Sequence, residues 1–301
     1  MEKRLLGKTG MEVSCLGAGL SEIGHMLTMN DIDQASSVLN GALDGGVNFL
    51  DTSTCYGISE ELIGRTVAHR RDEYILATKA GHAIAGYDGE DWTYQTVADA
   101  VDRSLARMKT DRLDLVQLHS CEIEDLEKGE VIRALQDAKQ AGKTRFIGYS
   151  GDNEAAEWAV ESGLFDTLQT SFNLVDQRAR TRLFPQAEAQ NMGIIVKRPV
   201  ANGAWGQEKS PSGYANRYFE RYQMMIEEGE IPGAPDHPIL LALGFVLAHD
   251  LVDTAIAGTK NPRHMEMNIE WVENDLPLQA QTVAELQRRF DELDQTWVQL
   301  R

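Results

Sequence analysis

The sequence predicts a single (β/α)8 TIM barrel of the α/β class, with an N-terminal β-hairpin and an extra C-terminal helix, as one domain over residues 1–301. Three observations predict it. Eight short β-type runs recur along the chain, segments of helical spacing lie between them, and no Ser/Pro/Gly-rich linker divides the 301 residues. About 250 residues of eight β-α units is the size of such a barrel.

The elements follow in order. KRLLGKTGMEV has a Gly-Lys-Thr-Gly turn between two short apolar pieces and reads as a β-hairpin that plugs the barrel's N-terminal end. The barrel runs are VSCLGAG from Val13, VNFLDT from Val47, YILATKA from Tyr74, LDLVQLHS from Leu113, TRFIGYS from Thr144, DTLQTS from Asp166, GIIVKRP from Gly193 and DTAIAGT from Asp253. Most are largely apolar and do not alternate with polar residues, as expected of parallel strands buried on both faces. Val97, Val101, Leu105 and Met108 before the fourth run, and Val131, Leu135 and Ala138 before the fifth, have the spacing of amphipathic helices. The stretch from Asn202 to Pro238, with Trp205, Tyr214, Tyr218 and Tyr222, is too long for a simple βα connection. Loops at the C-terminal ends of barrel strands build active sites, so this one is a candidate lid. Last, Val283, Leu286, Phe290, Leu293, Trp297 and Leu300 form a narrow apolar stripe that predicts a helix lying against the barrel wall. Coiled-coil pairing is the alternative, disfavoured because the stripe is short.

Composition narrows the function. With 29 Lys+Arg against 47 Asp+Glu, the formal charge is -18, and such a surface repels phosphate backbones and anionic lipid headgroups. Nucleic acid and membrane are therefore not expected partners. The N-terminal stretch lacks an uninterrupted apolar segment of the signal-peptide kind, and ILLALGFVLA, Ile239 to Ala248, is too short to span a bilayer. Cys15, Cys55 and Cys121 form no C-x-x-C pair, so neither a disulfide framework nor a thiolate zinc site is expected, and a reducing cytoplasm fits best. His25, His82 and His119 have no metal-ligand spacing, and no metal is expected.

LGAGLSEIG imitates a dinucleotide fingerprint, since Gly17 and Gly19 follow an apolar run. The third glycine of Gly-x-Gly-x-x-Gly is Glu22 here, so the Rossmann reading is set aside.

The chemistry lies at the ends of the runs: Asp51 after the second, Tyr56 in the loop beyond it, Lys79 near the end of the third and His119 at the end of the fourth. The C-terminal ends of parallel barrel strands converge on one mouth, which brings these four within reach of each other. A tyrosine is a poor acid at neutral pH; a neighbouring lysine ammonium is expected to lower its pKa, and Asp51 would hold that ammonium charged. Tyr56 would then protonate a carbonyl oxygen while His119 donates a hydrogen bond that orients it. Each residue alone has an ordinary role: helix cap, loop aromatic, strand-end charge, core histidine. Four coincidences at the right strand ends outweigh those readings. Cys55, beside the proposed acid, reads as filler, because the local sequence offers it neither partner thiol nor base.

These residues resemble the catalytic tetrad of the aldo-keto reductase superfamily, in the same order and strand contexts. ALDGGVNFLDTSTCYGISEELIG is similar to that family's first signature and SLARMKTDRLDLVQLHS to its second. The resemblance implies an NAD(P)H-dependent reductase acting on a small-molecule aldehyde or ketone, with Tyr56 as general acid. It implies cofactor contacts at Gly19, Leu20 and Asp51, at Ser150 and Gln169 for the carboxamide, and at Gly258, Thr259, Lys260, His264 and Asn268 for the adenosine end. Two positions depart from the family. Gly151 stands where asparagine is usual, and Lys197 where an aromatic ring usually stacks on the nicotinamide; Lys197 or Arg198 would instead meet the pyrophosphate. Lys260 and Arg263 favour NADPH over NADH, while His264 replaces a common arginine. Two alternatives stay open: a sugar or polyol dehydrogenase working in the oxidative direction, and a cofactor-binding regulatory subunit resembling the potassium-channel β subunits. Oligomeric state is not assigned.

Overall fold

A computed structural model describes residues 1–300. The hairpin is β1 (Lys3–Leu5) paired antiparallel with β2 (Glu12–Ser14). Eight parallel strands then close a barrel: β3 (Leu16–Gly19), β4 (Phe49–Asp51), β5 (Ile75–Ala80), β6 (Leu113–His119), β7 (Thr144–Ser150), β8 (Thr167–Ser171), β9 (Gly193–Lys197) and β10 (Thr254–Gly258). Around the ring each strand pairs with the next in sequence, and β10 closes it against β3. Every expected run contains one barrel strand. The first is shorter than expected, because Val13 and Ser14 belong to the hairpin.

The helices are α1 (Ser21–Met26), α2 (Ile32–Asp44), α3 (Ser59–Thr66), α4 (Tyr94–Met108), α5 (Ile123–Lys128), α6 (Glu130–Gln140), α7 (Asn153–Glu161), α8 (Leu183–Ala189), α9 (Asn216–Ile226), α10 (Pro238–Leu247), α11 (Pro262–Asn274) and α12 (Ala280–Leu293). Their ends obey local chemistry. Thr93 caps α4 by accepting from the Thr96 N–H, and Asn261 caps α11 ahead of Pro262, whose missing N–H is no loss at the first helical position. α4 and α6 turn Val97, Val101, Met108, Val131, Leu135 and Ala138 inward, as their spacing predicts, while Leu105 is only partly covered.

Two apolar clusters hold the barrel. The larger lies between strands and helices. The smaller fills the N-terminal end, where Leu6, Met11 and Val13 of the hairpin region pack with Phe49, Ala77, Leu115 and Ile195 from the strands, so the hairpin does plug that end. The functional mouth is thereby left to the C-terminal ends.

The long stretch after β9 is more ordered than a loop. It contains α9, Trp205 and Tyr218 are buried, and Trp205 packs on Tyr222 with ring centroids 4.9 Å apart. The buried Arg289 of α12 anchors its far end by donating to the carbonyls of Met225, Gly229 and Glu230. The apolar stripe of α12 is also shorter than expected. Leu286 and Phe290 are buried, but the helix ends at Leu293, and Trp297 and Leu300 lie beyond it. Arg178 grips the Asp294 carboxylate and the carbonyls of Asp294 and Trp297, which holds the turn after the helix. α12 packs on α9 of its own chain, so its apolar stripe is covered within the chain by the segment after β9. Among the described residues, no helix is long and apolar enough to cross a membrane, and no group of three or more His, Cys, Asp or Glu side chains is placed to hold a metal.

Candidate active site

Strand register builds the site. Gly19 pairs with Asp51, Lys79 with Gln117, His119 with Ser150, and Ser150 with Gln169, so residues far apart in sequence end at one level of the mouth. Side chains two apart along a strand share a face. That rule puts Gln117 beside His119, and Gln117 is a participant the sequence reading passed over.

Asp51 and Lys79 form a buried ion pair, the two side chains 2% and 1% exposed. Lys79 Nζ also donates to the Thr52 carbonyl at 2.9 Å. The other carboxylate oxygen of Asp51 accepts from Gln169 Nε2 at 2.8 Å and Gln117 Nε2 at 3.2 Å. Burial disfavours the Lys79 ammonium, but the attraction of Asp51, with Tyr56 adding to it, outweighs burial and raises the lysine's pKa.

Tyr56 sits over this pair, its ring centroid 4.8 Å from Lys79 Nζ. Its loop is seated by backbone contact: the Ile58 N–H donates to the Gly24 carbonyl, and a Cβ at Gly24 would lie 2.0 Å from the Tyr56 carbonyl oxygen. Only glycine lets α1 approach so closely. The lysine does pull the tyrosine's pKa down, as expected, but the net shift is upward, because burial of the phenol outweighs the ammonium. That corrects the expectation of a lowered value.

His119 closes the group, its ring edge-on to Tyr56 at 5.5 Å and to His82 at 5.2 Å. Burial first, then the neighbouring cations led by Lys79, hold its pKa well below the usual histidine value, so the ring is neutral at pH 7. Its Nδ1 lies 3.1 Å from Ser53 Oγ and 3.4 Å from Cys55 Sγ. Cys55 therefore has a base beside it that its local sequence did not reveal.

A cavity of about 980 Å³ opens over these residues. Its wall includes Asp51, Tyr56 and His119 together with Gly19, Leu20, Ser150, Gln169, Lys197, Arg198, Gly258, Thr259, His264 and Asn268. Lys260 stands outside that lining, and its backbone carbonyl accepts from Gln34. Arg263 pairs with Glu266 on the surface, so its charge is compensated locally. The long stretch after β9 contributes Asn202, Gly203, Ser212 and Tyr214.

The two departures have physical explanations. Ser150 Oγ donates to Gln169 Oε1 at 2.9 Å, and a Cβ at Gly151 would sit 2.4 Å from the Tyr149 hydroxyl, which donates to the Cys121 carbonyl. A side chain at 151 would collide with that tyrosine. Lys197 and Arg198 converge on Asp152, at 3.1 and 3.6 Å. Burial opposes the Asp152 carboxylate, but the two cations and the Ser171 N–H hold its pKa at about 2. Arg198 also donates to Ser171 and Tyr218, and its guanidinium lies over the Tyr214 ring. Asp152 thus offsets part of the positive charge that Lys197 and Arg198 bring to this wall.

The aldo/keto reductase family profile matches residues 15–289. The chain is 32% identical over 286 residues to the uncharacterized oxidoreductase YqkF of Bacillus subtilis, covering 90% of each chain. It is 28% identical over 301 residues to L-galactose dehydrogenase of Arabidopsis thaliana, covering 95% of this chain and 93% of that one. Among solved structures, the holo form of the aldo-keto reductase AKR11C1 from Bacillus halodurans superposes with a TM-score of 0.81 at 31% identity, over 96% of both chains. The chain belongs to the aldo/keto reductase family.

Proposed function

We propose that this oxidoreductase, a single barrel domain, passes hydride from NADPH to a small aldehyde or ketone, with Tyr56 as general acid. The observation that carries the reading is the convergence of Tyr56, the Asp51–Lys79 pair and a neutral His119 on one large cavity. The residues fit a nicotinamide dinucleotide. The cavity is at the upper end of small-molecule site volumes, near ~1,000 Å³. Ser150 and Gln169, bonded to each other on the cavity wall, would hold a carboxamide, and Lys197 and Arg198 would face a pyrophosphate. When bound, the cofactor supplies the hydride.

The chain's own residues do the rest. Tyr56 holds its proton at neutral pH because burial raises its pKa, and the Lys79 ammonium would stabilise the phenolate left after transfer. Asp51 keeps Lys79 charged. Neutral His119 would donate a hydrogen bond to the carbonyl oxygen and orient it toward Tyr56. Gly19, Leu20, Gly258, Thr259, His264 and Asn268 would follow the cofactor along the mouth, and Lys260, outside the lining, would meet a 2′-phosphate.

The test follows loss of reduced-nicotinamide absorbance from NADPH and from NADH against aldehydes, ketones and sugars. Tyr56→Phe should abolish turnover and retain cofactor binding; turnover retained in that variant refutes the assignment of the acid. The likeness to L-galactose dehydrogenase supports a second reading, oxidation of a sugar with NAD(P), in which acid and base exchange roles. Product analysis with each cofactor redox state separates the two directions.

A further inference from the structure

Ser53 and Cys55 take no part in the proton transfer proposed above, yet both reach His119 from the loop that carries Tyr56. Ser53 Oγ and Cys55 Sγ lie 3.2 Å apart, and each is within hydrogen-bonding range of His119 Nδ1. The backbone N–H of Cys55 donates to Ser53 Oγ at 3.4 Å. On the other side of the ring, Nε2 has no hydrogen-bond partner among the described residues, and His119 lines the cavity.

We propose that Ser53 and Cys55 are positioning residues that fix His119 in the tautomer with its hydrogen on Nε2, so that the cavity meets a donor. A neutral imidazole has one N–H donor and one acceptor nitrogen, and the hydrogen bond at one nitrogen decides the state of the other. The thiol keeps its hydrogen, since burial raises the Cys55 pKa. Hydroxyl and thiol therefore each bring a hydrogen to this cluster. With Nδ1 as acceptor, Ser53 O–H donates to Nδ1 and Cys55 S–H donates to Ser53 Oγ, and every hydrogen has a partner. With a hydrogen on Nδ1, that hydrogen, the hydroxyl, the thiol and the Cys55 backbone N–H, four in all, would compete for Ser53 Oγ and a sulfur, and sulfur is a weak acceptor. The first arrangement wins, and the donor faces the cavity. This deepens the proposed function and rests on it for what the Nε2–H is used for.

The experiment is ¹⁵N NMR of the full chain labelled at histidine, at neutral pH, with the His119 ring assigned by its loss in His119→Asn. Protonated Nε2 with acceptor Nδ1 is expected in the native protein; the opposite pattern overturns the proposal without any variant. In Ser53→Ala/Cys55→Val the ring should populate the other tautomer, and kcat should fall by roughly 10- to 100-fold, short of the ~100- to 1,000-fold that outright loss of an oxyanion donor costs. Cofactor Kd and circular dichroism should stay unchanged, and Cys55→Ser, which keeps a donor, should retain the native ring signals. An unchanged tautomer in the folded double variant also overturns the proposal. A native Nε2–H that shifts in the double variant, with no carbonyl or sugar turnover in the native protein, upholds the positioning role and refutes the functional reading instead.

Discussion

Removing Lys79 from beneath Tyr56 tests whether the buried pair works as a unit. Lys79→Met keeps the length of the side chain and deletes the charge. Asp51 then keeps its contacts to Gln117 and Gln169 on one oxygen, while the oxygen that faced Nζ loses its partner. Asp51 is only 2% exposed, so the stranded charge is largely held out of bulk water. Breaking a buried ion pair from one side costs about 3–5 kcal/mol, because it leaves a lone charge in a medium that solvates it poorly. Asp51→Asn should be destabilising for the mirror-image reason, because it removes the anion that faces the ammonium and leaves Nζ only neutral acceptors such as the Thr52 carbonyl. The double variant strands neither charge, so its loss should be smaller than the sum of the singles by about 2 kcal/mol or more. Urea unfolding followed by both fluorescence and circular dichroism measures the cycle. Effects that add within ~0.5 kcal/mol would refute coupling between the two residues. Lys79→Met should also slow reduction by roughly 100-fold or more, since the influence that offsets the burial of Tyr56 disappears.

Three further outcomes are expected. Reduction needs Tyr56 protonated, and its raised pKa keeps it so; kcat/KM for reduction should therefore stay level across neutral pH and fall only as alkaline pH passes the tyrosine, while oxidation rises over the same range. A midpoint near the ordinary histidine value, ~6.5, would contradict a His119 held neutral. Gly151→Asn, which restores the residue usual in the family, should destabilise the protein by about 1–3 kcal/mol in urea unfolding, because the Tyr149 hydroxyl must leave the Cys121 carbonyl. Lys260→Ala should raise KM for NADPH about tenfold and leave KM for NADH unchanged, the size of one hydrogen bond to a charged group; equal effects on both would remove Lys260 from 2′-phosphate recognition.

The fold was legible because its signals are local. Eight apolar runs separated by helical spacing determine a closed parallel barrel, and a residue at the end of a run lies at the mouth whatever its neighbours. Asp51, Lys79 and His119 were found at such run ends, and Tyr56 in the loop just beyond one, with their combined chemistry and the resemblance to a known tetrad singling them out. What escaped the reading depends on distance through space. Gln117 was accessible, two residues before His119 on the same face, but its partner Asp51 is reached only when the barrel brings the two strands together. The joining of Lys197 and Arg198 to Asp152 needed the register of β7, β8 and β9, and the base beside Cys55 needed the loop after β4 folded over the end of β6. The sign of the Tyr56 shift was decided by burial, a sum over every atom around the phenol. Residue type and spacing thus carry the barrel and its catalytic candidates, because both rest on periodicities a few residues long. Partnership, protonation and the end of the last helix belong to the tertiary structure, because each is a balance among groups that only packing makes neighbours.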